Sequence, residues 1–261
     1  MKKIILASLL MHLIFPFGML AQSWKLVWSD EFNGKRINRK NWVFDTGTND
    51  GWGNDELEYY TSRRENATVK NGNLLIIAKR EEYDSNDYTS ARLKTLGLQR
   101  WTYGKIEARI KLPAQQGLWP AFWMLGENIK TAGFPYCGEI DVMESVNTDT
   151  GIYGTMHWSN RNRLANNGGS ITVKNKNEYH VYSVEWDSNF IKWSVDDTIY
   201  WEGVVKDNIN QTQAFHKPFF ILLNLAVGGE WPGNPTPQSN FPDTMFVDYV
   251  RVYQMKKAKD N

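Results

Sequence analysis

Cysteine is almost absent. The chain carries one, Cys137, so an internal disulfide is excluded and the fold must be held by its core, with at most a metal to help. Cys137 itself reads as a small buried residue rather than a reactive thiol. There is no excess of charge of either sign. The formal net charge is +1 and no large basic block occurs, which argues against nucleic acid and an anionic membrane surface as partners. No Pro/Ser-rich linker, repeat or shift in composition divides the chain, so residues 22–261 are expected to form one domain. No long stretch holds a clear helical period, although 206–213 is compatible with a short turn of helix.

Long apolar runs are also missing after residue 20. Before it, Met1-Lys2-Lys3 is a short basic start, the following residues to Leu20 are mostly apolar, and Ala21 offers a small residue for cleavage. This pattern predicts a secretory signal peptide over 1–21. His12, Pro16 and Gly18 interrupt the run, whereas a spanning helix wants about 20 apolar residues. The expected product is secreted or periplasmic, free of the membrane after cleavage, and a monomer.

Aromatic residues are abundant, with twelve Trp, twelve Tyr and twelve Phe. Most belong in a core. An indole N–H needs a partner when buried, however, so a surplus of Trp suggests that some line a groove. Sugar rings present C–H faces that stack on indole, and a carbohydrate cleft is a natural place for such a surplus.

Short strands dominate the pattern. Residues 67–77 read as a hairpin about Asn71-Gly72, a turn signal with a mechanism. Residues 105–112 alternate polar and apolar as a half-buried strand does. Further runs lie at 24–28, 118–125, 139–145, 151–158, 180–186, 191–195, 199–201, 219–227 and 245–254, separated by Gly, Asn, Asp and Pro. Many short strands with polar turns predict an all-β chain, an antiparallel sandwich or barrel.

Within 139–145, Glu139, Asp141 and Glu144 place three carboxylates on a segment whose Ile140, Val142 and Met143 favour a strand. Residues two apart share a face at roughly 6–7 Å, so Glu139 and Asp141 point the same way. Glu144 has the wrong parity, and one extra residue in a β-bulge near Val142-Met143 would restore it. Convergence of three carboxylates is costly through repulsion, so a purely structural strand should avoid it. A solvated acidic edge is the alternative.

The motif Glu139-x-Asp141-x-x-Glu144 resembles the active-site strand of glycoside hydrolase family 16, in its bulged, laminarinase-like branch. Three further stretches carry the resemblance in family order: 51–61 (GWGNDELEYYT), 117–124 (GLWPAFWM) and 224–233 (NLAVGGEWPG). The resemblance implies a concanavalin-like β-jelly roll with a cleft across its concave sheet. It implies Glu139 as nucleophile, Glu144 as general acid/base and Asp141 as their partner, with Asn54, Arg92, Trp119, Trp123, His157 and Trp231 contacting sugar. It requires no catalytic cofactor, but suggests a structural Ca²⁺ held by Glu31, Asp248 and the carbonyl of Gly72. Asp55 and Glu58 depart from the family pattern, where Asn and Gln are frequent, and are expected to make this rim more acidic. The implied activity is endo-hydrolysis of β-1,3-glucan. Mixed-linkage glucan or galactan hydrolysis stands beside it, and so does a non-catalytic β-glucan lectin, although lectins on this fold lose carboxylates that are all present here.

Overall fold

The structure, a computed structural model, describes residues 23–256. The expected signal segment lies outside the described residues. No helix among the described residues is long and apolar enough to cross a membrane.

Two sheets stack face to face. The first runs, in spatial order, Arg163–Thr172, Gly151–Asn160, Glu139–Glu144, Leu118–Gly126, Phe219–Val227, Arg92–Lys94 and Val43–Asp45. All of its pairings are antiparallel. The second runs Thr198–Val204, Phe190–Val195, Tyr179–Trp186, Gly104–Lys111, Asp243–Met255, Asn73–Tyr83, Asn86–Ser90 and Glu58–Tyr60, with Trp24–Asp30 and Ala67–Lys70 paired at its side. Only Glu58–Tyr60 and Asn86–Ser90 pair in parallel there. This is an antiparallel sandwich, one of the two forms expected from the strand pattern, and it is the jelly roll that the family resemblance implies.

The alternating strands fold as their side chains dictate. In Gly104–Lys111, Ile106, Ala108 and Ile110 are fully buried while Lys105, Arg109 and Lys111 are partly exposed. The Ala67–Lys70 and Asn73–Tyr83 strands meet at Asn71 and Gly72, both with positive φ (52° and 74°), the tight turn that this dipeptide favours. Residues 206–216 form short 3₁₀ turns broken by non-helical backbone. Between the sheets lies one apolar layer in which Leu74, Ile76, Phe122, Ile140, Met143, Tyr182, Trp186, Trp193, Leu223 and Val250 are essentially inaccessible. Such a layer stabilises by roughly 25 cal/mol per Å² of apolar surface removed from water, which makes a disulfide unnecessary. Cys137 belongs to a satellite cluster with Leu125, Phe220 and Leu222. Burial pushes its thiol up to about 11, so it is an inert core residue.

Candidate active site

The acidic strand Glu139–Glu144 lies centrally in the seven-stranded sheet. Its register with Gly151–Asn160 runs evenly from Glu139↔His157 to Asp141↔Thr155, then shifts before Glu144↔Tyr153. Against Leu118–Gly126 the shift falls between Asp141 and Met143. The extra residue is the bulge that the parity of the sequence requires. It turns Glu144 to the face of Glu139 and Asp141. The Asp141 carbonyl, at the start of the bulge, accepts a 2.8 Å hydrogen bond from Trp193 Nε1 across the core. Gly154 makes room for that indole, since a Cβ there would lie 2.3 Å from Trp193 Cδ1.

The carboxylates sit in a shielded, crowded place. Asp141 is only 4 % exposed, and Glu139 and Glu144 are half-buried. Burial, then the charge of Asp141, pushes the Glu139 carboxyl well above the usual carboxylate range, while His157 and Arg92 pull it down. Burial raises Asp141 to about 8. Burial and then Asp141 raise Glu144 to about 8, against a hydrogen bond from Trp119. The three cannot all ionise together near neutrality, so the cluster retains protons there. His157 Nε2 stands 3.1 Å from Asp141 Oδ2 and 4.0 Å from Glu139 Oε1.

Aromatic walls surround the acids. Trp119 and Trp123 share a face of their strand despite Pro120, and both are partly exposed. Trp119 Nε1 donates to Glu144 Oε1 at 3.0 Å, and Trp123 Nε1 donates to Asn224 Oδ1 at 2.7 Å. Trp231, 43 % exposed, stands edge-on to Trp119 (centroids 5.4 Å apart) and to Tyr153 (5.1 Å). It therefore forms a wall beside Glu144. The Arg92 guanidinium is layered between the rings of Trp52 and Trp123, at 4.7 and 4.8 Å, with Nε 3.2 Å from Asp45 Oδ2. It braces two indoles as well as adding positive charge. Asn54 donates to Glu56 Oε1 (3.1 Å), and its carbonyl accepts from Glu230 N (2.8 Å), beside Trp231.

Several members of the site were not singled out in the sequence. Asn224 receives the Trp123 bond and donates to Tyr60 Oη at 3.0 Å; Tyr60 in turn donates to Glu56 Oε2 at 3.1 Å. This chain of bonds joins Trp123 to the loop carrying Asn54. Asn224 had a signal, because it is the single polar residue in the buried strand Phe219–Val227. Phe134, near His157 with centroids 6.4 Å apart, had none.

Two expectations need correction. Glu58 does not lie on the rim: it is fully buried beneath it, with Oε2 accepting from Val227 N at 2.6 Å, while Asp55 is exposed. The Glu31 carboxylate does not fit a calcium role either. Both its oxygens are taken by Arg251, from Nε at 2.9 Å and Nη2 at 2.8 Å. Asp248 Oδ2 accepts from Arg109 Nη1 at 2.7 Å, and Gly72 turns beside Asn33. The arginines neutralise locally the charges that were to attract the ion.

A bulged acidic strand, a buried carboxylate cluster and Trp walls form a site suited to acid–base chemistry on a sugar chain. The family model for glycosyl hydrolases family 16 matches residues 54–251. The chain belongs to that family. It is accordingly a glycoside hydrolase. A β-glucanase of Rhodothermus marinus is 43 % identical over 251 residues, covering 90 % of this chain and 86 % of its own. The clotting factor G alpha subunit of Tachypleus tridentatus is 46 % identical over 234 residues, covering 88 % of this chain, which spans only 34 % of that longer protein. The catalytic domain of an endo-1,3-β-glucanase (laminarinase) from Thermotoga petrophila superposes with a TM-score of 0.84 at 42 % identity, covering 90 % of this chain and 100 % of that domain.

Proposed function

We propose that this family 16 hydrolase is a secreted, retaining endo-β-1,3-glucanase. The observation that carries the mechanism is the bulge, which puts Glu144 on the face of Glu139 beside Asp141. Two carboxyl groups flanking a scissile glycosidic bond, roughly 5–5.5 Å apart, are the equipment for double displacement. By the motif it matches, Glu139 is the nucleophile that attacks the anomeric carbon, and His157 and Arg92 partly offset the burial and the Asp141 charge that raise its carboxyl. Glu144 holds its proton and donates it to the departing glycosidic oxygen. Glu139 then carries the sugar as an ester and its charge is gone. Glu144, now ionised, takes a proton from water, which attacks the same carbon from the opposite face and frees Glu139. Two inversions give retention. Asp141 sits between them and modulates the charge on Glu139 as it leaves.

Similarity to the Thermotoga laminarinase and the Rhodothermus β-glucanase supports a β-glucan substrate. The Trp231 wall favours the curved β-1,3 chain over the straighter β-1,4 one, because it closes the cleft beside Glu144. Reducing-sugar release from laminarin, lichenan, cellulose and agarose tests the reading. Laminarin is expected to be cleaved fastest, lichenan more slowly and cellulose not at all. Trp231→Ala should lose laminarin activity more than lichenan activity. Preference for lichenan or agarose, or equal losses in the variant, would overturn the linkage assignment.

A further inference from the structure

Glu139, Asp141 and His157 have a second chemistry available to them. Two carboxylates and an imidazole form the ligand set of zinc-class ions, whereas calcium and magnesium prefer oxygen alone. The backbone sets the spacing. Glu139 and His157 are directly opposed on neighbouring strands, and Asp141 follows two residues along the same face.

Tetrahedral ligands about 2.0–2.1 Å from zinc stand roughly 3.3 Å from each other. Here His157 Nε2 lies 3.1 Å from Asp141 Oδ2 and 4.0 Å from Glu139 Oε1, and the three ligating atoms all lie within 4.8 Å of one another. Small rotations of Glu139 close the remaining gap.

A second observation points to a ligand. Asp141 is 4 % exposed, yet its Oδ2 has no hydrogen-bond partner. The imidazole Nε2 is near enough to donate, but Oδ2 is left without a bond from it. His157 Nδ1 is likewise buried and unpartnered, so no hydrogen bond commits the ring to the tautomer that protonates Nε2. A buried carboxylate oxygen facing a ring nitrogen without a bond between them is a geometry that a cation bridges well. Its charge would also offset the repulsion between the acids.

We propose that Glu139, Asp141 and His157 form a binding site for a divalent transition-metal ion of the zinc class, whose occupancy blocks the cleft. The inhibitory part rests on the hydrolase mechanism above, since the ion would hold the carboxylate that attacks the sugar. The binding part does not.

Calorimetric titration of the purified full chain with zinc chloride, after chelator treatment and dialysis, tests binding without turnover. One zinc per chain is expected. His157→Gln and Asp141→Asn should each weaken it by well over about tenfold, the loss that even an outer partner of a ligand can cause. His180→Gln should retain it, because His180 pairs with Asp196 elsewhere. Melting curves establish that each variant folds, and two ligand variants guard against failure of one. Zinc should raise the apparent KM for laminarin severalfold without lowering kcat, and an equal concentration of calcium should neither bind there nor inhibit. Undiminished zinc binding in both ligand variants, displacement by calcium, or zinc binding without inhibition would overturn the proposal. A zinc-free chain that binds zinc normally but cleaves no glucan would instead strike the functional reading and leave the metal site standing.

Discussion

Trp193 Nε1 donates to the carbonyl of Asp141 over 2.8 Å, and this bond joins the two sheets at the bulge. Trp193 is fully buried in one sheet, and the acidic strand belongs to the other. A bulge disrupts the ladder locally, and a carbonyl that faces the apolar layer needs a donor. Trp193 supplies it from the far side of the core, so the presentation of Glu144 depends on a residue that touches no substrate.

Trp193→Phe removes the donor and keeps an aromatic ring. It should destabilise the fold by about 1–3 kcal/mol, the cost of leaving a buried polar group unsatisfied. It should also lower kcat more than it raises KM, because the acids lose their alignment. Melting curves and steady-state kinetics on laminarin check both effects. A fall in melting temperature with unchanged kcat would mean that the bulge holds itself.

The buried acids make stability depend on pH with a definite sign. Glu144 has an ordinary value of 4.5 and is raised to about 8 in the fold by burial and by Asp141. Below the ordinary value it is protonated in both folded and unfolded chains. As pH rises above it, only the folded chain keeps the proton, so stability falls progressively and the loss is complete as pH passes the folded value. Glu144→Gln should therefore match the wild type near pH 4 and exceed it by about 1–2 kcal/mol near pH 8, while losing activity. Burial, followed by the charge of Glu56, raises Glu58 in the same direction. Glu58→Gln should stabilise likewise but keep activity, since the amide still accepts from Val227 N. Calorimetric unfolding across this range is the measurement, and a stability gap that shrinks with rising pH would reverse the sign.

Glu31→Gln separates an ion pair from a calcium ligand. The Arg251 guanidinium holds the Glu31 carboxyl below its usual range through two hydrogen bonds. Both partners are about a third exposed, so solvent screening limits the pair to roughly 0.5–1 kcal/mol. The variant should melt slightly lower by the same amount in calcium and in chelator. A deficit that appears only in calcium would restore the carboxylate to a metal role.

The sequence was legible where side chains obey a period. The alternation of Gly104–Lys111, the Asn71-Gly72 turn and the parity of Glu139, Asp141 and Glu144 all have direct counterparts in the fold. Strand Arg163–Thr172 was not foreseen. It is polar and mostly exposed, its inward face carries only Ala165 and Ile171 as apolar contacts with the core, and it pairs along its length with Gly151–Asn160. Val43–Asp45 and Glu58–Tyr60 are too short for a period to show. Glu58 looked like rim acidity because nothing local indicates that its carboxylate turns inward to Val227. The arginine partners of Glu31 and Asp248 depend on which strands lie side by side, and the local sequence does not carry that information. The bond from Trp193 to Asp141 spans fifty-two positions and was beyond reach for the same reason.

The most direct test of the assigned roles is the anomer formed when azide replaces a missing carboxylate, using a β-glucosyl donor with a good leaving group. In Glu139→Ala the nucleophile is gone, so azide enters from the vacated face and should give the inverted α-glycosyl azide. In Glu144→Ala the glycosyl-enzyme still forms, because a good leaving group needs no proton. Azide then attacks that ester from the opposite face and should give the retained β-glycosyl azide. Opposite anomers from the two variants are the predicted result. The same anomer from both, or the two products exchanged, would contradict the assignment of Glu139 as nucleophile and Glu144 as acid/base.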